Sequence, residues 1–494
     1  MWADRIYQFL PTSMQNVAVS VRGWQFHRDR YRGPSFSDTA RTLEENERLS
    51  LEALQRLQFT MFREFAEHCF ENSPYYHNLW KSRGVDPRDV RQASDVSLLP
   101  IVPKQDLRSR TEEFLTQKIH RGMTAVHTSG TTGSPLTVYF SREDIGRRYA
   151  FLDRCRRWAG VRVGDRRASF TGRNIIPQRQ CGPPFWRYNA PGKQFLLSSY
   201  HLLAQNVPAY VEALAKFQPD IIDGYPSAIH IMADHILRAG SARPIHPRAI
   251  LVSAETLLPH QRETMEAAFC AKVHNQYASS EGAPFVSECG LGRLHVHLDS
   301  GLVEVLDSNG NPTPPGQIGE IVVTSFTTRV LPLLRYAIGD AAIPSDGASP
   351  CPCGLPFPTV TAIVGRVDDF LYTPDRGLVG RLDTVFKGTP NSVVEAQIVQ
   401  TSPDTIVVRI VPDRPRYRPE HARKIVQELR SKVGQFVAIE VEEVSVIPRS
   451  ANGKMRPVVN LCLNVLPSAF QYGSKSDWAP STVQTHHTSP AVTE

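Results

Sequence analysis

The sequence predicts an α/β protein in two parts: a large N-terminal α/β domain and a small α+β unit behind it. Three observations carry this. The chain has 494 residues, more than one hydrophobic core usually serves, so at least two domains are expected. Short β-branched runs alternate with stretches of helical spacing through residues 1–366. After Asp368 the pattern changes to strand, helix, strand.

In chain order, Ile6–Val21 has loose amphipathic spacing. It reads as a helix docked on the protein's own surface, with peripheral membrane contact as the alternative. Leu49, Leu51, Leu54, Leu57 and Phe59 recur among charges, which predicts helix within 40–75. Thr124–His127 and Leu136–Phe140 are apolar enough for two strands. Ala209–Phe217 and Ile229–Ala239 read as helices, and Ile221–Ile222, Ile250–Val252 and Ile321–Val323 as buried strands between and beyond them. The small unit reads as strand Asp404–Val411, helix Pro419–Val433 and strand Val437–Val446. Residues 467–494 are rich in Ser, Thr, Pro and His with few apolar anchors, and are expected to be a disordered tail. The predicted domains are therefore 1–366 and 367–466, followed by the tail 467–494.

A 41% hydrophobic and 21% charged composition places the chain among globular proteins. The net charge of +7 is mild, and its densest cluster, Arg28 to Arg32, is short. That argues against an extended nucleic-acid face and suits a small anionic substrate. No apolar run reaches membrane-span length, and Asp4 with the interrupted stretch Val17–Val21 does not make an export signal. A cytoplasmic protein with eight reduced cysteines is expected.

The most informative stretch joins the two predicted strands. Thr128, Ser129, Thr131 and Thr132 alternate with Gly130 and Gly133. Glycines let the backbone approach a ligand, and successive N–H and hydroxyl groups can then face one set of anionic oxygens. Ser134-Pro135 stands where the nucleotide-triphosphatase loop requires Lys-Ser/Thr, so a strand–loop–strand clip fits better. Elsewhere, Cys351-Pro352-Cys353 offers two thiolates, and a metal would need two further ligands. Cys289 lies upstream, before Leu294-His295-Val296-His297. Both histidines point to one face of a strand, so spacing does not choose between them, and reduced thiols in a loop remain the alternative.

Ser129–Pro135 resembles the ATP-phosphate loop of the adenylate-forming ligases, the superfamily of acyl-CoA synthetases. Four more motifs follow in that family's order: Asn275–Gly282, the pair Gly319–Thr324 and Leu331–Asp340, Gly365–Asp369, and Pro448–Arg456. The resemblance implies the family's fold, with the small unit as a mobile lid, and it implies residue roles. Thr128, Ser129, Gly130, Thr131, Thr132 and Gly133 would hold the phosphates of ATP. Ser253, Ala254 and Glu255 would lie on the adenine side. Tyr277 would stack on adenine, with Ala278 in place of the family's glycine and Ser279 beside it. Ser280 would meet the α-phosphate and Glu281 would bind magnesium. Asp340 would take the ribose, and Arg366 would reach the ribose and phosphates. Asp368 would be the hinge. Lys454, presented by the Asn452-Gly453 turn, would bridge the carboxylate and the α-phosphate.

Pro74–Tyr76, Leu98–Lys104 and Asp223–Ser227 are similar to the phenylacetate–CoA ligase branch. Thr373–Gly377, Phe386–Gly388 and Glu395–Gln400 resemble ligase-like proteins of capsular-polysaccharide gene clusters. The resemblance implies activation of a carboxylic acid as acyl-AMP, with ATP and magnesium, and then acyl transfer, by default to coenzyme A. An amine, a sugar hydroxyl or a carrier-protein thiol stays open as acceptor, and so does a non-catalytic nucleotide-binding scaffold. It also selects His295 as the partner of Cys289, Cys351 and Cys353 in a structural zinc site. Position relative to the motifs suggests Tyr225, Pro226, Ala283 and Phe285 as the acid pocket. The chain departs from the family in two places: the phosphate loop lacks a lysine, and the stretch after Asp369 does not match the small domain of CoA ligases. The oligomeric state, homodimer or not, stays open.

Overall fold

Four helices start the computed structural model, which describes residues 6–127, 136–171, 175–177, 180–239, 241, 243–307, 309–347, 350–366, 371–373, 377–379, 382, 385, 392–449 and 455–462. They are α1 (Thr12–Tyr31), α2 (Pro34–Asn46), α3 (Leu51–Asn72) and α4 (Pro74–Arg83). Pro11 sets the start of α1, because proline has no N–H to give a helix interior. The predicted helix over Ile6–Val21 is therefore interrupted: Ile6 and Tyr7 are helical, the chain turns before Pro11, and α1 then runs on to Tyr31. The stretch 40–75, predicted helical, takes in the end of α2, all of α3 and the start of α4, with Leu49 in the first break. Ser50 ends that break as the N-cap of α3, its Oγ accepting from Ala53 N at 3.2 Å. Two short helices follow, α5 (Lys104–Ser109) and α6 (Thr111–Phe114). Then β1 (Thr124–His127) and β2 (Thr137–Phe140) pair antiparallel, His127 opposite Thr137, as the predicted clip requires. The clip's loop, 128–135, lies outside the described residues.

After α7 (Arg142–Trp158) the chain enters the main sheet. Its strands are β3 (Arg167–Thr171), β4 (Trp186–Asn189), β5 (Gln194–Ser198), β6 (Ile221–Gly224), β7 (Ala249–Val252), β8 (Val273–Tyr277), β9 (Val286–Glu288), β10 (Leu294–Val296), β11 (Gly301–Leu306), β12 (Gly319–Ser325), β13 (Tyr336–Pro344) and β14 (Thr359–Arg366). The order is β11-β12-β13-β14-β10-β9-β8-β7-β6-β3-β5-β4. Strands β5, β3, β6, β7 and β8 are parallel, and α8 (Val207–Phe217), α9 (Pro226–Ala239) and α10 (Pro259–Phe269) connect them. Parallel neighbours need such crossovers, which explains the predicted alternation. From β8 onward the sheet is antiparallel. One core lies under the parallel half, around Phe170, Tyr210, Ile222, Ile229, Ile250 and Met265. Another lies under the antiparallel half, around Tyr76, Trp80, Phe114, Ile321, Leu333 and Tyr336. The loops after β6, β7 and β8 leave the carboxyl ends of parallel strands, the usual place for a ligand crevice in such sheets.

A separate C-terminal sheet has the order β19-β18-β17-β20, from β17 (Val393–Ser402), β18 (Thr405–Pro412), β19 (Ala438–Glu443) and β20 (Val458–Asn460), behind the small pair β15 (Leu371–Thr373) and β16 (Gly377–Val379). Helix α11 (Pro419–Val433) lies over it and buries Ile425, Leu429 and Val433 against Ile398, Ile406, Val408 and Ile410. Helix α11 has the predicted bounds. The last predicted strand is shorter than Val437–Val446, and β17 was not foreseen as a strand. The predicted tail beyond residue 466 lies outside the described residues.

Because this unit has its own core, Leu429→Ala should destabilise it selectively. Leu429 is fully buried, and the expected loss is about 3 kcal/mol. Hydrogen exchange should rise across β17–β20 and α11 while the strands β3–β14 stay protected.

Candidate active site

Among the described residues, Glu281 is the most enclosed of the predicted nucleotide residues, at 4% exposure. It sits in the turn after β8. Gly282, at φ +108°, makes that turn possible; a Cβ there would lie 2.5 Å from Thr328 Cγ2. Lys104 Nζ donates to Glu281 Oε1 at 2.6 Å and to Ile338 O at 3.0 Å. Tyr336 OH donates to Glu281 Oε2 at 2.6 Å. Burial and the Glu281 charge hold the Tyr336 phenol well above its usual pKa, so it stays a donor. Lys104 reaches this place because its strand-like approach is stitched beside β13. Val102 N donates to Arg335 O at 2.8 Å, and Ala337 N donates to Val102 O at 2.9 Å. Arg335, at φ +43°, pairs its Nε–Nη2 edge with Glu304, and its Nη1 donates to the Ser97 and Leu99 carbonyls, which fixes that approach.

On the same side, Tyr277 OH donates to Asp340 Oδ2 at 2.7 Å. Asp340 stands opposite Arg366 in the β13–β14 backbone register. Ser280 and Ala278 are exposed at the turn. Ser279 shapes that turn, its Oγ accepting from Glu281 N at 3.1 Å and Ala283 N at 3.3 Å. Arg148, from α7, clamps it from behind. Its Nη1 donates to Gly282 O at 2.8 Å, Ala283 O at 3.0 Å and Thr327 Oγ1 at 2.8 Å. Burial lowers the Arg148 pKa to about 10.

Ser253, Ala254 and Glu255 follow β7. Ala254 has φ +70°, a costly conformation for a residue with a Cβ and one that clusters at binding sites. Glu255 Oε2 accepts from Ser227 N at 3.2 Å, in the first turn of α9, where a carboxylate suits the helix dipole. Its Oε1 accepts from Met455 N of the small unit at 3.1 Å. Burial raises the Glu255 pKa, while these N–H donors and Arg449 oppose the rise. A second contact between the two parts joins Arg238 of α9 to Asp413.

The suggested acid-pocket residues separate. Tyr225 is half-buried and Pro226 buried at the β6–α9 turn, next to the Ser253 backbone, whose N–H donates to Gly224 O at 3.2 Å. Ala283 and Phe285 are fully buried, and Phe285 stacks on Phe151 with ring centroids 5.2 Å apart. Its ring is packed in the core rather than presented to a cavity. Asp368, Lys454 and the six residues Thr128 to Gly133 lie outside the described residues.

Sequence reasoning missed Lys104, Tyr336 and Arg148 as site residues. Lys104 and Tyr336 stood in quoted motifs without a role, and their shared partner is far away in the chain. Arg148 carried no signal beyond helical spacing.

Cys289, His295, Cys351 and Cys353 form a second cluster, with ligand atoms within 4.8 Å of one another. Cys289 sits in the β9–β10 hairpin and the other two cysteines in the β13–β14 loop; β10 pairs with β14 and brings them together. Cys289 Sγ lies 3.9 Å from Cys351 Sγ, and Cys353 Sγ lies 3.4 Å from His295 Nε2. Tetrahedral zinc bonds would set such pairs about 3.8 and 3.6 Å apart. His295 Nδ1 donates to Phe357 O at 2.7 Å, which leaves Nε2 as the ligand atom. His297 turns away: its Nε2 lies 2.8 Å from Ser287 Oγ. This Cys/His group could hold a zinc ion.

A family model described as "AMP-binding enzyme" matches residues 101–328, and one described as "CapK C-terminal domain" matches residues 371–461. Protein CapK of Staphylococcus aureus is 34% identical over 457 residues, 92% of this chain and 98% of that protein. The chain belongs to the adenylate-forming superfamily and is CapK-like. This adenylate former is also related to the phenylacetate–coenzyme A ligase of Thermus thermophilus, 26% identical over 84% of this chain and 98% of that one. Its fold matches a 2-hydroxyisobutyryl-CoA ligase in the postadenylation state, with a TM-score of 0.66 at 17% identity over 84% of this chain and 91% of that one. Membership implies ATP and an acid substrate. Among the described residues, no helix is long and apolar enough to cross a membrane.

Lys104 and Glu281 are 12% and 4% exposed, so removing the ammonium strands a buried charge. Lys104→Ala should cost about 3 kcal/mol in urea unfolding. Lys104→Ala with Glu281→Gln should cost clearly less, because no buried charge is then left unpaired.

Proposed function

We propose that the protein joins a carboxylic acid to AMP and then passes the acyl group to an acceptor, by default the thiol of coenzyme A. The observation that carries this reading is the convergence of Glu281, the Tyr277–Asp340 pair and Ser253-Ala254-Glu255 at the carboxyl ends of parallel strands. The small unit's Met455 N–H docks on that same Glu255. The neighbouring residue is Lys454, the proposed catalytic lysine.

A carboxylate oxygen forms a bond to the α-phosphorus, the bond to the bridging oxygen breaks, and pyrophosphate leaves. Thr128–Gly133 would cradle the leaving phosphates. Tyr277, Ala278, Ser279, Ser253 and Ala254 would line the base, and Asp340 with Arg366 the ribose. Ser280, exposed on its turn, would meet the α-phosphate. Magnesium, when bound with ATP, supplies charge neutralisation at the phosphates. Glu281 fits as its carboxylate: Lys104 and Tyr336 use two of about four lone-pair positions. Lys454 would neutralise charge that grows on the phosphorus oxygens. Asp368 is the proposed pivot about which the small unit turns for the transfer step, dividing the proposed domains 1–366 and 367–466. Tyr225 and Pro226 are the proposed acid wall. Transfer to an amine, a sugar hydroxyl or a carrier thiol uses the same first step.

Lys454→Ala tests this reading. Acyl-AMP formation, followed by pyrophosphate release with the correct acid, should fall at least about 100-fold with an unchanged melting temperature. Wild-type-like release would remove Lys454 from the chemistry.

Cys289, His295, Cys351 and Cys353 are proposed to hold a structural zinc, since four protein ligands leave no position for a substrate. Freshly purified protein should contain about one zinc per chain. Chelation should lower thermal stability more than it changes turnover of the folded enzyme. Protein purified without chelator and free of zinc would leave a cluster of reduced thiols.

A further inference from the structure

Helix α1 meets the protein through polar side chains, Gln15, Asn16 and Ser20. Gln15 is 2% exposed; Arg187 Nε donates to its Oε1 at 2.6 Å, and its Nε2 donates to Tyr7 O and Leu10 O. Asn16 Oδ1 accepts from Tyr188 N at 2.9 Å. Ser20 Oγ donates to Tyr188 O at 3.3 Å and accepts from Ala190 N at 3.1 Å. Gly23 completes this face: a Cβ there would lie 1.9 Å from Asn189 Oδ1. These contacts satisfy backbone groups of β4, the last strand of the sheet, which would otherwise be an open edge.

The apolar side chains face outward. Met14, Val17, Val21 and Trp24 follow an i, i+3, i+7, i+10 spacing and are 52, 64, 57 and 50% exposed. Ile6 and Phe9, in the segment before Pro11, are also exposed, at 58 and 72%. A helix on a globular surface normally buries such a stripe, so a contiguous exposed one marks an interaction site.

Charge identifies what fits it. No carboxylate occurs from residue 6 to residue 28. Arg22, Arg28 and Arg32 are exposed at the stripe's C-terminal half, and Arg28 stacks over Trp24 with its guanidinium carbon 5.3 Å from the ring centre. A second copy packed two-fold through this half would set arginine against arginine. Residues 463–494 carry one lysine and two acidic side chains, and offer these arginines little. An anionic lipid surface offers both an acyl boundary for the apolar row and phosphates or carboxylates for the guanidinium groups.

We propose that α1 is a peripheral membrane anchor that lays its Met14–Trp24 stripe, with Ile6 and Phe9 ahead of it, into an anionic lipid surface, with Arg22, Arg28 and Arg32 at the headgroups. This stands apart from the adenylation chemistry and needs no substrate to test. Full-length protein should co-sediment with phosphatidylserine-containing vesicles at least about ten-fold better than with phosphatidylcholine vesicles, and high salt should weaken the binding. Val17→Asp with Val21→Asp should lose the binding by about the same factor at an unchanged melting temperature, since both positions are exposed. Arg22→Glu with Arg28→Glu should abolish the preference for anionic lipid. Three results would each overturn the proposal: wild-type protein left in the supernatant with anionic vesicles, a Val17→Asp/Val21→Asp protein that binds as wild type does, or light scattering that shows a dimer turned monomeric by those two substitutions.

Discussion

The buried carboxylate of Glu281 is the constraint around which the large domain's active face is arranged. A charge at 4% exposure persists only if it is paired and hydrogen-bonded. Its two partners come from distant parts of the chain. Lys104 arrives from the segment that runs beside β13, and Tyr336 opens β13 itself. Satisfying one carboxylate therefore ties the N-terminal helical region, the turn after β8 and the antiparallel half of the sheet into one unit. Arg148 holds the backbone of the turn that carries Glu281, and Arg335 the segment that leads to Lys104, each by donating to carbonyls. The site is built by electrostatic necessity at least as much as by hydrophobic packing.

The same site joins the two parts of the protein. Glu255 accepts at once from the first turn of α9 and from Met455 of the small unit. A carboxylate shared in this way ties Met455 to the turn that follows β6. The small unit keeps its own core, as the proposed turning about Asp368 requires. That combination suits a reaction in two steps that need different partners at one place.

What the sequence made legible follows from what each signal is. The helix Pro419–Val433 could be read with its bounds because a proline, a periodic apolar face and a glycine mark it locally. The β1–β2 clip was readable because two short apolar runs flank a glycine-rich turn. The Cys/His group was readable by residue type, but choosing His295 over His297 needed the resemblance; the geometry agrees, since the Phe357 carbonyl orients one ring and Ser287 takes the other. Lys104 was not readable as a site residue, because a lone lysine after proline looks solvated until its partner 177 residues away is known. The outward apolar face of α1 was equally hidden: the spacing showed a helix, but which side met the protein depended on the open edge of β4. Phe285 stands close to the motif in sequence, and its ring stacks on Phe151 in a buried cluster, a contact 134 residues away in the chain that no local pattern announces.

Acid-dependent exchange of labelled pyrophosphate into ATP tests the central claim most directly, because it reports acyl-AMP formation without knowledge of the acceptor. Across a carboxylic acid library, wild-type protein should catalyse exchange with at least one acid, and Glu281→Gln protein that keeps its fold should lose that exchange. No exchange with any acid, from protein shown by calorimetry to bind ATP, would contradict the claim and leave a nucleotide-binding scaffold.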